Sequence, residues 1–148
     1  MYTIKEIYYT LQGEGYHTGR PAIFIRFSGC NLWSGQEKDR KKAICNWCDT
    51  DFLGTNGTNG GKYSAKNIKK KILNLWPLNV ESLPYVILTG GEPYLRHDLD
   101  KIVKIFYENT KVPIITIPSN GWYLNKMDRQ IRNMMEWCPY LTLNQQIS

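Results

Sequence analysis

Cys30, Cys45 and Cys48 form a Cys-x14-Cys-x2-Cys series that runs straight into Asp49-Thr50-Asp51, and Thr89-Gly90-Gly91-Glu92-Pro93 follows farther along the chain. A [4Fe-4S] cube takes four thiolates, one per iron. Three thiolates in one loop therefore leave one iron to an outside molecule. A cluster that only carries electrons gains nothing from an open iron, whereas one that pushes an electron into a bound cofactor needs direct contact with it. Radical chemistry is the work of such cofactors rather than of side chains, which makes S-adenosylmethionine the candidate for the open position. Zinc is the competing reading. A structural zinc site wants four closed ligands, usually built from two close pairs, and here only Cys45 and Cys48 are close, with His17 able to complete a Cys3His set. Cys138 lies far from the others in a segment of helical periodicity and reads as a core thiol. Disulfides are not required by a chain long enough to bury a core, and nothing in the sequence suggests secretion.

Other residue types fit the same chemistry. Trp47, between the close cysteines, can pack on an adenine or simply steady its loop. Gly90 and Gly91 let backbone approach a cofactor, Glu92 can accept hydrogen bonds from the cofactor's ammonium, and Pro93 stiffens the turn. Taken alone, this stretch is an ordinary strand-to-helix turn. Ser119 and Asn120 either touch the cofactor or belong to a common Ser-Asn-Gly turn. His17 and His97 read as solvent-facing residues of a loop and a helix start. No pair of carboxylates is spaced for acid–base catalysis.

The stretches Thr10-Leu11-Gln12-Gly13-Glu14-Gly15, Gly19-Arg20-Pro21-Ala22, Arg26-Phe27-Ser28-Gly29-Cys30-Asn31-Leu32-Trp33-Ser34-Gly35, Cys48-Asp49-Thr50-Asp51-Phe52, Asn59-Gly60-Gly61-Lys62 and Thr89 to Pro93 resemble the 7-carboxy-7-deazaguanine synthases, a family of radical S-adenosylmethionine enzymes. The fourteen-residue cysteine gap narrows the resemblance to a subgroup. It covers residues 1 to 93; residues 94 to 148 look more like generic radical S-adenosylmethionine proteins. The resemblance implies a [4Fe-4S] cluster on Cys30, Cys45 and Cys48, with Trp47, Cys48, Asp49, Gly90, Gly91, Glu92, Ser119 and Asn120 at the cofactor. It implies substrate contacts from Leu11, Gln12, Gly13, Glu14, Arg26 and Thr89, and Mg2+ on Thr50, with Asp49 and Asp51 as competing ligands. A guanidinium such as that of Arg26 suits a carboxylate, and a carboxamide such as that of Gln12 suits the donor–acceptor edge of a heterocycle. A lone Thr holds Mg2+ only when substrate and water oxygens complete the octahedron. In the implied reaction S-adenosylmethionine is cleaved, a 5'-deoxyadenosyl radical takes hydrogen from 6-carboxytetrahydropterin, and ring contraction with loss of ammonia gives the deazaguanine, a step of queuosine biosynthesis. The family's later Ser-Pro-Lys stretch and carboxyl-terminal substrate contacts have no counterpart in this sequence. The alternatives are a radical S-adenosylmethionine enzyme of another substrate, or a non-catalytic iron–sulfur or zinc module.

These residues must be held by a domain that 148 residues and 42% hydrophobic content can supply. Residues 1–148 are expected to form a single radical S-adenosylmethionine core. No apolar run is long enough to cross a membrane, the start lacks the layout of a secretion signal, and the expected compartment is the cytoplasm. The net charge of +6 does not point to nucleic acid, because the basic runs 38–42 and 66–71 lack the interleaved aromatics of a single-strand platform. The first run, inside the cysteine loop, could steer an acidic electron donor such as a flavodoxin; the second reads as a solvated helix face. Strands are expected at 4–10, 22–28, 85–89, 112–117 and 140–144. Helices are expected from a Ser64 cap through Trp76, from an Asp98 cap through Phe106, and around Met127, Ile131, Met134 and Met135. Alternating strands and helices from residue 22 onward predict an α/β fold, a partial (β/α) barrel of the radical S-adenosylmethionine type: a curved parallel sheet with an N-terminal β extension. The motif loops then leave the carboxyl ends of strands, where such folds carry their chemistry. An open flank of the barrel would favour a homodimer.

Overall fold

The computed structural model describes residues 1–77, 83–121 and 123–147. Six strands, β1 (Tyr2–Leu11), β2 (Pro21–Phe27), β3 (Gly61–Tyr63), β4 (Tyr85–Thr89), β5 (Ile114–Ser119) and β6 (Thr142–Ile147), form one sheet in the order β3-β1-β2-β4-β5-β6. From β2 through β4 and β5 to β6 every neighbour is parallel. β1 runs antiparallel to both β2 and β3, so the N-terminal extension is a hairpin laid on one edge of a parallel sheet. The sheet is open but not flat. On a flat sheet β1 and β6 would stand roughly 19 Å apart, at about 4.8 Å per strand, yet Gln12, just beyond β1, hydrogen-bonds to Gln146 on β6.

Three helices, α1 (Ala65–Leu75), α2 (Leu99–Thr110) and α3 (Leu124–Trp137), cover one face of the sheet. Alternate strand residues turn to them: Ile23, Ile25, Val86, Leu88, Ile115 and Ile117 pack with Ile68, Ile72, Leu99, Ile102, Phe106 and Met134 in one buried cluster. Period-two alternation in strands and a 3.6 period in helices produce this division, and each such side chain, fully buried, contributes about 1.5–3 kcal/mol. The opposite, concave face carries a smaller cluster of Ala22, Tyr85 and Ile87.

Local signals account for most boundaries, with several corrections. Ser64 caps α1 as expected, its Oγ accepting from Asn67 N at 3.3 Å. Asp98 stands at the N-cap of α2 but makes no capping bond; Arg96 takes its carboxylate in a two-pronged pair at 3.0 and 3.1 Å. Met135 is 67% exposed, because the buried stripe of α3 runs through Met127, Gln130 and Met134 instead. His17 is half-buried, edge-on to Tyr85, rather than facing solvent. β5 extends two residues past the expected end, and β6 lies at 142–147 rather than 140–144. Among the described residues no helix is long and apolar enough to cross a membrane.

Candidate functional site

β2, β4 and β5 end side by side, and the segments leaving them meet around one cavity of about 420 Å3. Its walls include Cys30, Cys45 and Cys48, with Trp47, Asp49, Thr50, Thr89, Gly90, Gly91, Glu92, Ser119 and Asn120. Every residue expected at the cofactor thus faces one space, as does Thr50. The three thiols are half-buried and unoxidised. Burial pushes the Cys45 thiol above its usual range, reinforced by Cys30 and Cys48, while a hydrogen bond with the Asn120 side chain pulls it down. Among the described residues no three His, Cys, Asp or Glu side chains are gathered round one point as a single ion would require.

The Gly-Gly-Glu stretch has a defined geometric part. Gly90 has φ +142, and a Cβ there would meet the Phe27 carbonyl oxygen at 2.8 Å. At Gly91 a Cβ would lie 2.5 Å from both Cβ and Sγ of Cys30. Only glycine lets β4 close on the first cysteine. Glu92, 8% exposed, accepts from Tyr94 N at 3.1 Å, Ser119 Oγ at 3.0 Å and Asn120 N at 2.8 Å. Its carboxylate therefore ties the end of β5 to the end of β4. Ser119 is turned toward Glu92 and also accepts from Gly121 N at 3.0 Å.

Two cations fasten the cysteine loop and the segment that follows it, and neither is evident from the sequence. The basic run forms a 3-10 turn at Glu37–Lys42. From it Arg40 Nη1 donates to the carbonyls of Asn46 at 2.9 Å and Cys48 at 3.0 Å, while its guanidinium lies 4.1 Å above the Trp33 ring. Glu37 holds the same guanidinium from the other side. Lys5, 5% exposed at an irregular point of β1, donates to Asp51 Oδ2 at 2.8 Å, Leu53 O at 2.8 Å and Asn56 Oδ1 at 2.7 Å. Asp51, set beside Thr50 as a competing Mg2+ ligand, is thus occupied by a lysine. A buried Lys in an exposed-looking N-terminal strand gives no sequence signal.

The expected substrate residues are divided. Thr89 lines the thiol cavity, and Arg26 stands opposite it in the β2–β4 register. Arg26 Nε donates to Glu6 Oε1 at 2.8 Å, so the guanidinium expected to meet a carboxylate ligand already meets one from β1. Gln12 and Glu14 border a separate cavity of about 130 Å3 on the concave side, with His17, Tyr85, Thr116, Asn144 and Gln146. Leu11 is 57% exposed at the end of β1, and Leu11 and Gly13 border none of these cavities.

No family model matches the chain. Curated relatives do. The chain is 57% identical over 98 residues to the 7-carboxy-7-deazaguanine synthase of Burkholderia multivorans, covering 66% of this chain and 46% of that protein. It is 46% identical over 116 residues to the same enzyme of Caulobacter vibrioides, covering 78% and 55%. The crystal structure of QueE from Escherichia coli superposes with a TM-score of 0.56 at 31% identity, over 81% of this chain and 52% of that one. The chain spans about half the length of the curated relatives it matches. The open α/β sheet is consistent with the partial barrel expected from the sequence.

Proposed function

From the chain's relationship to the 7-carboxy-7-deazaguanine synthases, we propose that it carries the radical-generating half of such an enzyme, acting on 6-carboxytetrahydropterin. The observation that carries this reading is the convergence of Cys30, Cys45 and Cys48 with Gly90, Gly91 and Glu92 on one cavity. Cys30, Cys45 and Cys48 would hold a [4Fe-4S] cluster, which when bound supplies the electron that cleaves S-adenosylmethionine. Gly90 and Gly91 keep that wall bare of side chains, and Glu92 holds Asn120 against the cavity. Trp47 offers an aromatic surface at the rim, 66% exposed. Thr50 lines the same cavity, with Asp49 beside it, and its hydroxyl would help to hold Mg2+ once substrate and water oxygens complete the coordination. Lys38, Lys41 and Lys42 stand exposed on the turn that Arg40 clamps to the cysteine loop, which suits an acidic electron-donor protein.

The test is anaerobic reconstitution with iron and sulfide, followed by counting 5'-deoxyadenosine and deazaguanine product together under reducing conditions with Mg2+. A brown protein that cleaves S-adenosylmethionine to 5'-deoxyadenosine is the expected result, and the ratio of deazaguanine to 5'-deoxyadenosine reads how well the substrate is positioned. A colourless protein that binds zinc and cleaves nothing would overturn the reading.

A further inference from the structure

The small cavity on the concave face already holds a hydrogen-bonding group of the chain itself. Gln146 stands between Gln12 and Glu14: its Oε1 accepts from Gln12 Nε2 at 3.1 Å, and its Nε2 donates to Glu14 Oε2 at 3.0 Å. Chemistry fixes this orientation. An ionised carboxylate only accepts, so the Gln146 nitrogen faces Glu14 and its oxygen is left for the Gln12 nitrogen. Gln12 and Glu14 therefore form a donor–acceptor pair that reads a planar edge with C=O beside N–H. A carboxamide presents that edge, and so does the lactam of an amino-oxo-pyrimidine ring.

We propose that the Gln146 carboxamide is an internal stand-in for the lactam edge of a heterocyclic ligand, and that such a ligand pairs with Gln12 and Glu14 by displacing it. The inference rests on the pterin reading above and adds the residue with which the substrate competes. A second observation points to a missing ligand. Asn144 Nδ2, on the wall of the same cavity, is buried with no hydrogen-bond partner among the described residues, and a buried orphan donor is costly enough to call for one. A ring nitrogen of the same heterocycle would accept from it. Gln146 sits on β6, at the edge of the sheet among the described strands. Rotation of its side chain is enough to clear the pair without breaking the β5–β6 ladder.

A ligand that binds only when Gln146 has swung away has its apparent affinity lowered by the fraction of time the pair is open. Removing the competitor should therefore tighten binding. The experiment titrates 6-carboxypterin, and 2,4-diaminopteridine-6-carboxylate with its reversed edge, against the wild type, Q146A, Q146E and Q12A, with thermal melts as a folding control. Q146E is the second opening variant, because its carboxylate repels Glu14. The expected result is about tenfold tighter 6-carboxypterin binding in Q146A and Q146E, the order expected for relief of the two Gln146 hydrogen bonds, with no gain for the diamino compound and weakened binding in Q12A. Equal or weaker binding of 6-carboxypterin in both Gln146 variants would overturn the inference, as would an equal gain for both compounds. Absence of binding in every variant also overturns it. The cluster and cleavage assay, which does not depend on these residues, then shows whether the wider reading falls as well.

Discussion

Gly91 and Cys30 are packed so closely that a Cβ on Gly91 would lie 2.5 Å from the Cys30 sulfur and 2.8 Å from its Cα. Backbone as well as side chain would have to shift, so rotamer adjustment of the thiol cannot absorb the added methyl. Overpacking of this kind costs about 1–3 kcal/mol. Gly91→Ala is expected to lower the thermal midpoint and to leave less than half the wild-type iron after anaerobic reconstitution. Wild-type iron content in Gly91→Ala would show that Cys30 is not a ligand in the position described.

Arg40 bridges the carbonyls of Asn46 and Cys48. Arg40→Ala should loosen the loop around Cys45 and Cys48 without touching Cys30. Alkylation of the metal-free protein, followed by mass spectrometry, is expected to show several-fold faster modification of Cys45 and Cys48 and an unchanged rate at Cys30. Arg40→Lys restores one donor but not the planar fork, and should fall between the two.

Cys138 is 1% exposed in the core, and its thiol is pushed above the usual range, chiefly by burial and then by Glu108. It should resist alkylation in the folded protein at pH 8, while the three cavity thiols react. Cys138→Ala should keep the brown chromophore that Cys45→Ala loses. Cluster loss in Cys138→Ala equal to that in Cys45→Ala would mean a closed four-thiolate site.

The Lys5–Asp51 pair gives a pH dependence. A hydrogen bond from Lys5 lowers the pKa of Asp51, with help from the Leu53 amide. A carboxyl lowered in the folded state stabilises it above the ordinary Asp range near 4 and loses that contribution as pH falls through the lowered value. Melts between pH 6 and pH 2 should therefore fall more steeply for the wild type than for Asp51→Asn. Lys5→Met leaves Leu53 O and Asn56 Oδ1 without their donor, at a cost of about 1–3 kcal/mol, and the same melts would reveal it.

Much of this arrangement was legible in the residues. The runs Ile23-Phe24-Ile25 and Val86-Ile87-Leu88 can only be buried strands, and the apolar spacing of α1 and α2 marks the faces they bury. With strand ends located, the cysteines, Gly90-Gly91 and Ser119-Asn120 had to share one rim. What stayed hidden depends on long-range pairing. β3 is three residues of Gly-Lys-Tyr that become a strand only because β1 offers an edge. Lys5 reads as a polar residue of an alternating strand until segment 51–56 folds over it. Arg40 was visible only as one charge in a basic run, and the amides of β6 lack apolar periodicity. Glu92 was expected to face a ligand, and its bonds to Ser119 and Asn120 depend on β5 lying beside β4.

The Gln12–Gln146 hydrogen bond joins residues 134 positions apart in the chain. Contacts of such separation are slow to form, since the entropy of closing the intervening chain must be met before they contribute anything. The cysteine rim draws on contacts of shorter separation, such as Gly91 with Cys30 and Glu92 with Ser119, whereas the Gln12 cavity waits for β6 to dock on β5. During refolding, thiol protection should precede closure of the concave cavity, and a lesion in β6 should leave a protein whose first pocket is built while its second has not yet formed.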